Sequence, residues 1–98
     1  TYLSDMESRV QASRLLIYRA ASKIMSLQKA TLESATAKLF TTENAVWICD
    51  KAVQIHGGYG YTSDYVVERL YRDVRVTTIY EGTSEIQRIV IARELLGK

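Results

Sequence analysis

Residues 3–27 read LSDMESRVQASRLLIYRAASKIMSL, and within them Leu3, Met6, Val10, Ser13, Ile17, Ala20, Ile24 and Leu27 recur at alternating steps of three and four. With 3.6 residues per turn, that step returns each position to one face, so the run predicts a helix packed lengthwise on others. The pattern repeats through Leu32, Ala35, Leu39, Thr42, Val46, Cys49 and Val53. Proline is absent, and four of the five glycines stand at Gly57, Gly58, Gly60 and Gly82, so nothing strongly breaks a helix before Gly57. Each run covers about 25 residues, or roughly 37 Å of rise, and the pair predicts an αα-hairpin with its turn at residues 29–31. The small seam residues Ser13, Ala20 and Ala35 permit close helix approach. Phe40 and Trp47 widen the apolar face of the second helix and imply more than one partner surface.

Beyond the hairpin, Gly57, Gly58 and Gly60 stop the second helix among Tyr59, Tyr61 and Tyr65. Ser63 or Asp64 is placed to cap a shorter third helix, with Val66, Val67, Leu70 and Val74 at helical spacing and Arg69, Arg72, Asp73 and Arg75 on its other face. Residues 76–80 are rich in β-branched side chains and read as extended or irregular. A last helix is expected from Ser84 to Leu96, with Ile86, Ile89, Val90 and Leu96 apolar and Gly97 ending it. The expected fold is all-α, an up-and-down helical bundle, in one domain over residues 1–98. The opening at Thr1, directly in a helical pattern, reads as a fragment of a longer protein.

Composition excludes several function classes. Thirteen Lys and Arg against eleven Asp and Glu leave a net charge of +2, spread without a block, which argues against nucleic-acid binding. No apolar run approaches the roughly 18 residues of a membrane span. The single Cys49 has no thiol to pair with and no histidine cluster for zinc, so no metal is expected and Cys49 reads as a small core residue. His56, at the end of an apolar stripe, reads as a packing or hydrogen-bonding residue. Arg93 serves equally as a phosphate or subunit contact and as a cation beside the last helix carbonyls.

The chemistry concentrates at Ile79-Tyr80-Glu81-Gly82-Thr83-Ser84-Glu85-Ile86-Gln87. A carboxylate stands beside a glycine, which lets backbone approach a ligand, and before two hydroxyls able to cap a helix. From these residues alone, Glu81 is either a ligand-facing acid or an exposed acid that stabilises the helix dipole by about 0.3–1 kcal/mol. The Gly-Gly-x-Gly cluster alone is a helix stop or a weak phosphate signal.

Gln54-Ile55-His56-Gly57-Gly58-Tyr59-Gly60-Tyr61, Arg72-Asp73 and Tyr80 to Gln87, with Ala37-Lys38-Leu39-Phe40 upstream, together resemble the C-terminal helical domain of flavin-dependent acyl-CoA dehydrogenases. The resemblance covers essentially the whole chain, without the family's amino-terminal helical and central β-domains. It implies α,β-dehydrogenation of an acyl-CoA thioester to a trans-enoyl-CoA, as in fatty-acid β-oxidation, with the α-proton taken by a base and the β-hydride passing to FAD. The base falls on Glu81, whose own N–H is also a donor to the thioester carbonyl; Gly82 and Tyr80 adjoin the substrate. Desolvation strengthens such a base, and carbonyl polarisation acidifies the α-proton. Thr83, Ser84 and Glu85 are implied to line the FAD site, with Glu85 standing where some relatives carry glutamine. Gln54, Ile55, His56, Gly57 and Gly58 are implied to reach FAD bound by a neighbouring subunit, so the resemblance calls for a homo-oligomer, dimer or tetramer. It also implies an electron-transfer flavoprotein as partner and a cytoplasmic location, or else the mitochondrial matrix. Two other readings stand beside it: a helical oligomerisation module without a catalytic role, and an acyl-CoA oxidase of the same superfamily. Without a β-domain, the isolated chain is expected to be inactive.

Overall fold

Uninterrupted helical periodicity becomes two long antiparallel helices in the computed structural model, which describes residues 2–56, 66–75, 77 and 83–97. Helix α1 is Tyr2–Met25 and α2 is Thr31–His56; α3, Val66–Arg75, and α4, Ser84–Leu96, follow. No strand occurs among the described residues, and the all-α expectation holds. The expected caps of α3, Ser63 and Asp64, lie outside the described residues.

Three cross-links mark the antiparallel register of the hairpin. Lys23 Nζ meets Glu33 Oε2 at 2.8 Å near the turn, Arg9 donates to Asn44 Oδ1 midway, and Tyr2 Oη donates to Gln54 Oε1 at 3.4 Å at the far end. The turn itself closes on Leu27 in a left-handed conformation (φ 60°), with the Gln28 N–H donating to Lys23 O and the Leu27 N–H to Ile24 O. That is a Schellman stop built on leucine where glycine is usual.

Helix α4 returns along α2 in the opposite direction. Arg88 pairs with Glu43 at 2.9 Å, and Lys29, just before α2, pairs with Glu94. At its end Gly97 takes φ 73° and its N–H caps Arg93 O and Glu94 O, the stop expected from the sequence. Helix α2 is thus the common neighbour: α1, α3 and α4 all pack chiefly on it. Between residues 35 and 53 it has no exposed position, in keeping with the expectation of several partner surfaces.

The core is thin. Ala20, Ala35, Ala37 and Val53 are buried, and Val53 alone among the described residues is completely so. At the three alanines a methyl is the largest group standing between helix backbones, which suits close packing. The assignment of inward faces needs correction, however. In α1 the buried or half-buried positions are Met6, Arg9, Val10, Ala12, Ser13, Leu16, Ala20 and Lys23, while Leu3, Ile17, Ile24 and Leu27 of the expected seam are exposed. In α4, Val90 and Ile91 are half-buried, whereas Ile86, Ile89 and Leu96 are exposed. In α3 the same holds for Leu70, which is exposed while Tyr71 and Val74 are half-buried. Periodicity reports that a face is apolar; it does not report which neighbour covers it.

Candidate functional site

The start of α4 is built by Thr83. Its extended backbone (φ −68°, ψ 166°) turns the side chain over the first helical turn, where Oγ1 accepts the Ile86 N–H at 3.2 Å, and its carbonyl accepts the Gln87 N–H at 3.0 Å. A threonine is favoured here because an extended N-cap presents its oxygen to otherwise unpaired amides. The hydroxyl proton stays available to donate elsewhere. Ser84 is buried, whereas Glu85 is exposed in the first turn. The three residues named for this end are therefore together, with different surroundings.

Glu81 itself, with Tyr80 and Gly82, lies outside the described residues. The chain on either side of it is described. On the near side, Lys38 of α2 donates from Nζ to the Thr77 carbonyl at 2.9 Å, and the Thr77 hydroxyl donates to Val74 O at 2.6 Å. On the far side stands the Thr83 cap. The Lys38 contact was not singled out from the sequence, where Ala37-Lys38-Leu39-Phe40 entered only as part of a motif.

At the other candidate segment, Gln54 is exposed on the last turn of α2. Its amide donates to Asp50 Oδ2 at 3.0 Å and its carbonyl oxygen accepts from Tyr2. Ile55 is half-exposed and His56 is the last residue of the helix; the His56 side chain, Gly57 and Gly58 lie outside the described residues. Among the described residues the two segments do not meet. Arg88, one turn into α4, pairs with Glu43, which precedes Gln54 on α2 by about eleven residues, or roughly 16 Å of rise.

Elsewhere, Arg9 stacks its guanidinium 3.8 Å over Trp47 while bonding Asn44, which is buried and returns its own amide to Phe40 O at 2.8 Å. Tyr2 meets Trp47 edge-on at 6.4 Å, and the Lys51 ammonium lies 5.2 Å from the Tyr2 ring. An open groove of about 480 Å³ runs beside this cluster, lined by Asp5, Ser8, Arg9, Ala12, Phe40 and Asn44. It lies between α1 and α2, away from the start of α4. Burial pushes the half-buried Cys49 thiol up, which suits the core role expected of it. Arg69, Arg72, Asp73 and Arg75 are all exposed. No group of three metal-ligating side chains occurs among the described residues, and none of the described helices is long and apolar enough to cross a membrane.

Comparison with known proteins places this geometry. The family described as acyl-CoA dehydrogenase, C-terminal domain, matches residues 1–96. A 3-(aryl)acrylate reductase of Clostridium sporogenes is 55% identical over 94 residues, covering 96% of this chain and 25% of that protein. The caffeyl-CoA reductase-Etf complex subunit CarC of Acetobacterium woodii is 52% identical over 96 residues, covering 98% of this chain and 25% of that protein. The solved structure of butyryl-CoA dehydrogenase from Megasphaera elsdenii matches with a TM-score of 0.94 at 42% identity, over 97% of this chain and 25% of that one. The chain spans about a quarter of the length of the relatives it matches. On these matches over nearly its whole length, the chain belongs to the acyl-CoA dehydrogenase family, in the part that forms the C-terminal domain.

Proposed function

We propose that this chain is the C-terminal domain of a longer FAD-dependent acyl-CoA dehydrogenase, and that Glu81 abstracts the α-proton of an acyl-CoA thioester. The observation that carries the reading is family membership combined with the Tyr80-Glu81-Gly82-Thr83 motif immediately before a capped helix. The exposed apolar residues of α1 and α4 support burial against further protein, whether the rest of a longer chain or the other subunits of a dimer or tetramer. FAD, when bound, supplies the acceptor for the β-hydride. Two described groups support the cofactor reading: Thr83 retains a hydroxyl donor, and the exposed Gln54 amide keeps one N–H beyond the one it gives Asp50, both suited to a neutral ring or ribose. Glu85, an exposed carboxylate, fits hydroxyl donors and disfavours a phosphate beside it. Thr83, Ser84 and Glu85 would hold the cofactor within one subunit, with Gln54, Ile55, His56, Gly57 and Gly58 reaching it from the neighbour. Tyr80 and Gly82 would flank the acyl chain.

In the full-length protein, Glu81→Gln removes the base while keeping shape. Acyl-CoA-dependent bleaching of the flavin is expected to slow by about 10²–10⁴-fold, the usual scale for a positioned general base. Bleaching at the parental rate rejects Glu81 as the base. The isolated chain is expected to bleach nothing.

A second reading concerns direction. Both relatives named above at 52–55% identity carry the name reductase, which favours reduction of an α,β-unsaturated acyl thioester. By microscopic reversibility Glu81 then enters protonated and delivers its proton to the α-carbon. Stopped-flow rates of acyl-CoA with oxidised flavin and of enoyl-CoA with reduced flavin, measured on one preparation, separate the two directions. The Etf in the name of one relative supports an electron-transfer flavoprotein as redox partner, and oxygen consumption in its absence would instead identify an oxidase. The bacterial sources of these relatives support a cytoplasmic location.

A further inference from the structure

We infer that Asp50 is a positioning residue for the cofactor site: its carboxylate fixes which end of the Gln54 side-chain amide faces it, and so presents Gln54 as a donor to an acceptor oxygen of FAD. The inference rests on the proposal that Gln54 reaches the FAD of a neighbouring subunit. Gln54 stands on the last turn of α2 with both ends of its amide engaged inside the chain. Nε2 donates to Asp50 Oδ2 at 3.0 Å, four residues back on the same helix, and Oε1 accepts from Tyr2 Oη at 3.4 Å across the hairpin. These two neighbours are not equivalent. A phenol hydroxyl donates or accepts, so Tyr2 is satisfied by either end of the amide, whereas a carboxylate only accepts. Turning the amide over would set its oxygen against the Asp50 carboxylate, two acceptors with no proton between them. The bond to Asp50 is also the shorter of the two and the charge-assisted one. Asp50 therefore makes the choice, and Tyr2 follows it.

The carboxylate is itself held in place. Lys51 Nζ lies 3.4 Å from Asp50 Oδ2, the oxygen that accepts from Gln54, and the same ammonium sits 5.2 Å from the Tyr2 ring and 5.4 Å from the Trp47 ring. Asp50 and Lys51 are both half-buried. Aspartate is a poor residue for a helix interior, because its carboxylate competes for backbone groups; here two side chains, Lys51 and Gln54, engage it instead. With one N–H given to Asp50, the Gln54 amide keeps a second on the same nitrogen, and the residue is exposed. The unspent donor is open to a ligand at a fixed place, which suits a carbonyl or hydroxyl oxygen of the cofactor.

The test uses the full-length protein, stripped of flavin and titrated with FAD while flavin fluorescence is read. Gln54→Met removes the amide at nearly constant length, and FAD is expected to bind about 3- to 10-fold more weakly, the scale of one hydrogen bond. Asp50→Asn keeps the shape of the neighbour but accepts either end of the amide and removes the charge that polarises its N–H, so binding about 3- to 5-fold weaker is expected. The double variant decides the matter. Once the amide is gone Asp50 has nothing to orient, so Asp50→Asn with Gln54→Met should bind FAD within about 1.5-fold of Gln54→Met alone. A purely structural Asp50 gives the opposite pattern: a lower melting temperature of the flavin-free protein, and the same factor lost in FAD binding whether or not the Gln54 amide is present. That result overturns the inference. Gln54→Met by itself separates the two layers. If it binds FAD as tightly as the parent, the reach of Gln54 to the cofactor falls and the inference with it; if it binds weakly while Asp50→Asn binds as the parent does, only the role of Asp50 is rejected.

Discussion

Arg9 offers the sharpest test of what holds the hairpin together. Its guanidinium bonds the buried Asn44 side chain and stacks 3.8 Å over Trp47. Arg9→Met keeps an apolar stem of similar reach and removes both interactions. A hydrogen bond to a charged group contributes about 1.5–3 kcal/mol, and its loss leaves the Asn44 oxygen unpaired in a buried place. The stacking adds about 0.5–1 kcal/mol at a partly exposed site. Because Arg9 is only half-buried, the lower halves of those ranges apply, and about 2–3 kcal/mol is expected. At about 4–8 °C per kcal/mol for a domain of this size, the melting temperature should drop by roughly 10–20 °C. Thermal unfolding followed by circular dichroism reads the change, and emission from Trp47, the single tryptophan of the sequence, reports the local loss. The double variant Arg9→Met with Asn44→Leu supplies the refutation. Removing both polar partners leaves nothing buried and unsatisfied, so the double variant should be more stable than the sum of the singles by at least about 1 kcal/mol. Additivity within about 0.5 kcal/mol would show that the two side chains do not depend on each other.

Two further outcomes follow from the turn and its flank. Leu27→Gly relieves a left-handed backbone at an exposed residue, and a rise in stability of about 0.5–1 kcal/mol by urea denaturation is expected, because a β-carbon is disfavoured there by about 1–2 kcal/mol and glycine returns part of that in unfolded-state entropy. The Lys23 ammonium bonded to Glu33, with the Glu33 backbone N–H, holds that carboxyl below its ordinary value of 4.5 against the opposing effect of burial. A depressed folded-state value stabilises above the unfolded one, so Glu33→Gln should be less stable than the parent above about pH 4.5, and the gap should close as pH falls through the lower folded value. A gap that widens in acid would reverse the sign and reject the pairing.

The helices and both ends of α4 were legible because local rules set them. Gly97 ends α4 since only glycine enters its φ of 73° freely, and Thr83 caps it because its extended backbone presents Oγ1 to the Ile86 N–H. The inward faces were less legible. Arg9, Lys23, Glu33 and Asn44 point inward as paired polar groups, and a reading that follows only apolar positions passes over them. The same reading placed Leu3, Ile17 and Ile24 in the seam, where they are exposed, because an apolar stripe carries no label for the surface that covers it. At the candidate site the Thr83 cap was legible from capping chemistry, while the Lys38 to Thr77 bond joins residues 39 apart in the chain, and no local pattern records a bond to a backbone carbonyl.

The central place of α2 makes the chain unequal in its tolerance of change. A side chain on α1 or α4 answers mainly to one neighbouring helix, so its loss is confined to one interface. One between residues 35 and 53 is buried or half-buried and lies on the helix that all three others share. A single substitution there shifts the reference against which α1, α3 and α4 are all aligned. Substitutions on α2 far from either candidate segment are therefore the ones that reach both at once.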